Sequence, residues 1–69
     1  MTARQRAAIE ALRAADVPLS PLALGVAIGT SSEGAARTAS SLIRHGFVVR
    51  TRRNGGVAYG LASKTAVAS

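Results

Sequence analysis

The 69-residue sequence has no cysteine and no tryptophan, one phenylalanine, one tyrosine and only three acidic residues. Without cysteine there are no disulfides and no thiolate zinc or iron–sulfur sites, and such a chain fits the cytoplasm. With aromatics at 3%, a surface that stacks single-stranded bases is not expected. Three acids are too few for a paired-carboxylate or magnesium site, and His45 has no second ligand near it in sequence. No serine lies in a glycine-rich oxyanion motif and no P-loop lysine spacing occurs, so neither catalysis nor a cofactor is expected. No apolar run reaches the roughly 20 residues needed to cross a bilayer. The stretch from Val17 to Gly29 is interrupted by Pro18, Pro21 and Gly25. The basic start, Met1 to Arg6, leads into an amphipathic segment and not into a signal-peptide core.

What the chain does have is positive charge, unevenly placed. The net charge is +6. Glu10, Asp16 and Glu33 all fall in the first half, where Arg4, Arg6 and Arg13 offset them. Beyond Glu33 come Arg37, Arg44, Arg50, Arg52, Arg53 and Lys64 with no acid among them. A basic surface on one side attracts polyanions and speeds their capture. The competing reading is a solvated arginine-rich face.

Local signals divide the chain into three helices and a hairpin. Thr2-x-x-Gln5 has capping-box spacing, and Ala8, Ile9, Leu12 and Ala15 form an apolar stripe that ends near Asp16. Ser20-Pro21 opens a second helix running to Ile28, with Leu22 and Val26 expected inside and Gly29 as its stop. Thr30 is expected to cap a third helix, with Glu33 at capping-box distance and Ser31 as the competing cap. On this helix Ala35, Ala39, Leu42 and Ile43 share one side. Glu33, Arg37, Ser40 and Arg44 share the other, with Ser41 adjoining. Gly46 ends it. Phe47 to Arg52 reads as a strand, Asn54-Gly55-Gly56 as a turn, and Val57, Tyr59 and Leu61 as the apolar face of a second strand.

The fold class is therefore mainly α with a β-hairpin (α+β). One domain is expected over 1–62, with a loose tail over 63–69. The expected core draws on Ile9, Leu12, Val17, Leu19, Leu22, Leu24, Val26, Ile28, Leu42, Ile43, Phe47, Val48, Val57, Tyr59 and Leu61. That is enough for one small core in a chain of marginal length, and docking on a partner would suit it.

From Leu19 to Leu61 the order of elements resembles the winged helix-turn-helix superfamily of bacterial transcription regulators, the MarR-like, ArsR-like and IclR-like domains above all. Ile28-Gly29 followed by Thr30-Ser31 is similar to the step before the recognition helix. Leu42-Ile43-Arg44-His45-Gly46-Phe47-Val48 is similar to its ending, and Gly56-x-x-Tyr59-x-Leu61 to the IclR-type second wing strand. Gly34, Ala35 and Ala39 depart from the pattern by being smaller than the residues usual there.

The resemblance implies a third helix (about 31–45) lying in the major groove of duplex DNA and a basic wing (about 47–61) anchoring beside it. It carries base contact onto Ser32, Ala36, Arg37 and Ser40. Arg37 has the fork that grips guanine, while Ser41 suits a phosphate or a close base edge and Arg44 a phosphate. Arg50, Arg52, Arg53 and Asn54 fall in the wing, which in relatives touches the minor groove or flanking backbone. Ser20, at the start of the second helix, is placed to meet a phosphate. The expected partner is double-stranded DNA, with a homodimer or a larger protein as further candidates and no membrane.

Other readings stand beside these. Glu33 is a capping residue before it is a cytosine reader, and Tyr59 a core residue before a stacking platform. A protein-interaction module or phage-type accessory factor on the same scaffold is the alternative to a DNA-binding regulator. Its support is a recognition helix only lightly charged near its start.

Overall fold

The computed structural model describes residues 1–63. Three helices, α1 (Ala3–Ala14), α2 (Pro21–Ile28) and α3 (Ser32–Arg44), precede an antiparallel hairpin of β1 (Val48–Arg53) and β2 (Gly56–Leu61). This is the α+β order that the sequence predicts. Ala62 and Ser63 turn helical again, and the rest of the expected tail, 64–69, lies outside the described residues.

Both early caps form as the local chemistry requires. The Thr2 hydroxyl accepts from the Gln5 amide at 3.1 Å, and Gln5 Oε1 accepts from the Thr2 amide at 2.8 Å. Ser20 Oγ accepts from the Ala23 amide at 3.1 Å, with Pro21 at the first helical position. Gly29 closes α2 with φ +77°.

Helix α2 is turned the opposite way from expectation. Leu24 and Gly25 are its buried residues, whereas Leu22 is 68% and Val26 75% exposed. Ala23 and Ala27 are exposed as well. The pivot is Gly25. A Cβ there would stand 2.7 Å from the Thr30 carbonyl oxygen and 2.9 Å from that of Ser31, so glycine lets the start of α3 close over α2.

The cap of α3 is Ser31, not Thr30. Ser31 Oγ accepts from the Gly34 amide at 3.1 Å, while the Thr30 amide is spent on the Gly25 carbonyl at 2.8 Å as part of the ending of α2. Thr38, buried on the inner face of α3, satisfies its hydroxyl by donating to the Gly34 carbonyl at 2.9 Å. Gly46, with φ +84°, ends α3 in a Schellman arrangement: the Phe47 amide donates to Leu42 and the Gly46 amide to Ile43, both at 3.0 Å.

The hairpin turn has two residues where three were expected. Asn54 (φ +52°) and Gly55 (φ +79°) form it, and Gly56 already pairs with Arg53. Two successive left-handed residues match the twist of the flanking strands. The first strand starts at Val48, one residue late, and Phe47 is exposed. On β2, the expected alternation gives way to unbroken burial from Ala58 to Leu61, with Val57 exposed. A short third rung explains it. Leu19, in the connection between α1 and α2, pairs antiparallel with Tyr59, so β2 has a neighbour on each edge at that point.

The core gathers Ala8, Leu12, Leu24, Ala35, Ala39, Leu42, Val48, Tyr59 and Leu61, with Ile9, Ala11, Leu19, Ile28 and Ile43 packed against it. Val17, Leu22, Val26, Phe47 and Val57, all expected inside, lie at the surface. Three alanines with no accessible surface (Ala8, Ala35 and Ala39) let the helices approach closely where larger side chains would hold them apart.

Candidate nucleic-acid interface

Helix α3 presents one continuous outward stripe. Glu33, Arg37, Ser40 and Arg44 recur at steps of four, three and four, and all four are exposed. Arg37 and Arg44 stand two turns apart, about 10 Å along the axis. Neither makes an ion pair among the described residues. Both guanidiniums are thus unengaged on a rigid element whose opposite face, Ala35, Thr38, Ala39 and Leu42, is buried. Glu33 falls in the first turn, where the helix dipole favours an acid.

The remaining α3 candidates are less alike than the sequence suggests. Ser32 is exposed, Ala36 half-buried. Ser41 is half-buried too, and its hydroxyl oxygen accepts from Gln5 Nε2 at 2.9 Å. Gln5 therefore does two jobs, capping α1 and holding the flank of α3. No local signal announces the second, because the partners are 36 positions apart.

On the hairpin, Arg50, Arg52, Arg53 and Asn54 are all exposed, but the arginines divide between the two faces of the ribbon. Side chains alternate along a strand, so Arg50 and Arg52 share the face of Val48, opposite Tyr59 and Val57, while Arg53 joins Thr51 on the other. The Tyr59 amide and carbonyl are directed at Leu19, so the Arg50–Tyr59 pair is a non-hydrogen-bonded one. The backbone groups of Arg50 accordingly face the open edge of β1, and a charged edge of this kind resists pairing with other strands.

Ser20, which the sequence associates only with its own helix, reaches the hairpin tip in space. It lines one open groove with Leu19, Ala23, Arg53, Asn54 and Val57. The start of α2 and the turn of the hairpin thus border the same depression, with Arg53 as its cation. The acids lie elsewhere: Glu10 pairs with Arg13 at 2.9 Å on the surface of α1, and none occurs on the hairpin.

Among the described residues no three histidine or acidic side chains gather to hold a metal ion, and no helix is long and apolar enough to cross a membrane. No family model, curated protein or solved structure matches the chain.

Proposed function

We propose that this chain is a winged helix-turn-helix domain that binds double-stranded DNA with sequence preference, as a small transcriptional regulator does. The observation that carries the reading is the α3 stripe. Arg37, Ser40 and Arg44 line the exposed face of a 13-residue helix held from behind by the core. A helix so supported fits the major groove, where a side chain at mid-helix meets base edges. Arg37 is the base reader in this proposal, with Ser32 and Ser40 short enough for close approach. Arg44, near the end of the helix, meets a phosphate.

The hairpin is the wing. Arg50 and Arg52 on one face and Arg53 on the other let a ribbon lying along the flanking backbone send an arginine side chain into the minor groove. Ser20 and Asn54 border the groove beside Arg53, a position suited to one phosphate of the flanking strand. Ser41, already bonded to Gln5, serves the reading as a fixed flank of α3 more than as a free contact.

Selection from a random duplex pool tests the proposal directly and returns the site. Binding should weaken steeply with salt, with a log–log slope of about −3 to −5 if most of the five arginines meet phosphates. Absence of binding to any duplex at low salt overturns it.

A further inference from the structure

The sequence has a single asparagine, Asn54, and it stands directly before Gly55 at the tip of the hairpin. A glycine in that place leaves its backbone nitrogen unshielded, so the asparagine side chain is open to attack by it. The fold keeps the pair accessible. Both residues are exposed, and a Cβ on Gly55 would meet nothing within 4 Å. Neither the Asn54 side chain nor the Gly55 N–H makes a hydrogen bond among the described residues. Attack needs a rotation about the Asn54 backbone that opens the turn, and only the terminal Arg53–Gly56 pair closes it. Opening at such a tip lies at the low end of local stability. We propose that Asn54 is a self-modifying site, at which the Gly55 nitrogen displaces ammonia and the neutral hairpin tip becomes acidic.

The chemistry needs only water and a base in solution. Gly55 gives up its amide proton, and the nitrogen attacks Cγ of Asn54. The Cγ–Nδ2 bond breaks, Nδ2 leaves with a proton as ammonia, and a five-membered succinimide joins the two residues. Water then opens the ring. Breaking the bond from nitrogen to Cγ leaves aspartate at position 54. Breaking the bond to the backbone carbonyl carbon leaves isoaspartate, with the chain rerouted through the former side chain. Either way one unit of the +6 net charge is lost. Arg52 and Arg53 precede the site and the hairpin has no acid, so the local positive potential favours the anionic nitrogen that attacks. Aspartate before glycine still suits the left-handed turn. Isoaspartate adds a backbone carbon to a two-residue loop and works against the Arg53–Gly56 pairing. Both products set a carboxylate beside Arg53 in the groove shared with Ser20. The consequence for binding rests on the DNA reading, which puts a phosphate there; the conversion itself does not.

Incubating the full chain at neutral and alkaline pH, with peptide mapping and an isoaspartate methyl-transfer assay, tests the conversion. The peptide that begins at Asn54 should give way to two isomers with a hydroxyl in place of the amino group, faster as pH rises. Gln5, the only other side-chain amide, is hydrogen-bonded through both Oε1 and Nε2 and should stay intact. The folded chain should convert within about tenfold of its rate in urea, as a frayed tip requires. Asn54→Gly, which keeps a turn of residues free to be left-handed, should lose no charge on the same treatment. Conversion in urea with Asn54 intact in the folded chain overturns the inference. Aged protein, separated from fresh by cation exchange, should then bind one duplex at low salt roughly three- to tenfold more weakly, with a salt slope lower by about 1. Treated and untreated Asn54→Gly should match each other. Equal binding by aged and fresh parent overturns the role given to the new charge. A fresh parent that binds no duplex defeats the DNA reading and this consequence with it, while the peptide map still decides the conversion.

Discussion

Leu19 and Tyr59 exchange both of their backbone hydrogen bonds: the Leu19 amide donates to the Tyr59 carbonyl at 2.9 Å, and the Tyr59 amide to that of Leu19 at 2.7 Å. This single rung ties the hairpin to the connection between α1 and α2. It adds backbone pairing to the packing of Val48, Tyr59 and Leu61 in the core, and a two-stranded ribbon is marginal by itself.

Leu19→Pro removes one of these donors and strands the Tyr59 carbonyl in a buried position. A loss of about 1–3 kcal/mol in urea unfolding is expected. Amide exchange should show the Leu19 and Tyr59 protons protected in the parent. A variant as stable as the parent would mean that the rung contributes nothing.

Two glycines that look alike in sequence should answer oppositely to alanine. Helix propensity favours alanine at both by about 1 kcal/mol. At Gly25 the new methyl meets the backbone carbonyls of Thr30 and Ser31, which cannot yield without moving the start of α3. Gly25→Ala should therefore destabilise by about 1–3 kcal/mol. At Gly34 the obstacle is the Thr30 hydroxyl, which no hydrogen bond holds and which can rotate away. Gly34→Ala should be neutral within about 1 kcal/mol or mildly stabilising. Equal losses at both positions would defeat this account.

Gln5 serves a cap through Oε1 and Ser41 through Nε2. Gln5→Ala loses both and should cost about 1–2 kcal/mol. Gln5→Glu keeps an acceptor for the Thr2 amide, and the Ser41 hydroxyl can turn to donate to the carboxylate, so most of the stability should return. Thermal melts of the parent and both variants decide it; a Glu variant as weak as the Ala variant argues against the reversal.

If the DNA reading holds, the arginines should separate by role in binding titrations. Arg37→Ala should lose about 1–3 kcal/mol on the selected sequence and little on random duplex. Arg50→Ala or Arg52→Ala should weaken both alike and reduce the salt slope by about 1 each. Equal effects of Arg37→Ala on both duplexes would remove it from the base-reading role.

Short-range chemistry was legible without coordinates. The Thr2–Gln5 box, the Ser20-Pro21 start, the left-handed stops at Gly29 and Gly46 and the Asn54-Gly55 turn all depend on residues a few positions apart. The polar stripe of α3 was legible for a related reason: its charged and apolar residues alternate with the helix period, so only one face can turn inward. The candidate site inherits that clarity at Arg37, Ser40 and Arg44, and loses it at Ser41, whose partner arrives from the other end of the chain.

Where a segment offers no contrast, sequence pattern has nothing to act on. Helix α2 is apolar all round, and its orientation was decided by a contact: the carbonyls of Thr30 and Ser31 need the space that Gly25 leaves empty. Leu24 went inward with Gly25, and Leu22 and Val26 were left in water. The cap of α3 is Ser31, and the Thr30 amide, donated to Gly25 in ending α2, leaves no donor for the capping box with Glu33 that the spacing offers. Caps, turns and periodic faces are thus set by neighbours in the chain, whose spacing covalent geometry dictates. Which face of a uniform helix is buried, which residues pair across 40 positions and which side of the hairpin each arginine takes depend on close packing among distant segments, and only the folded chain brings those together.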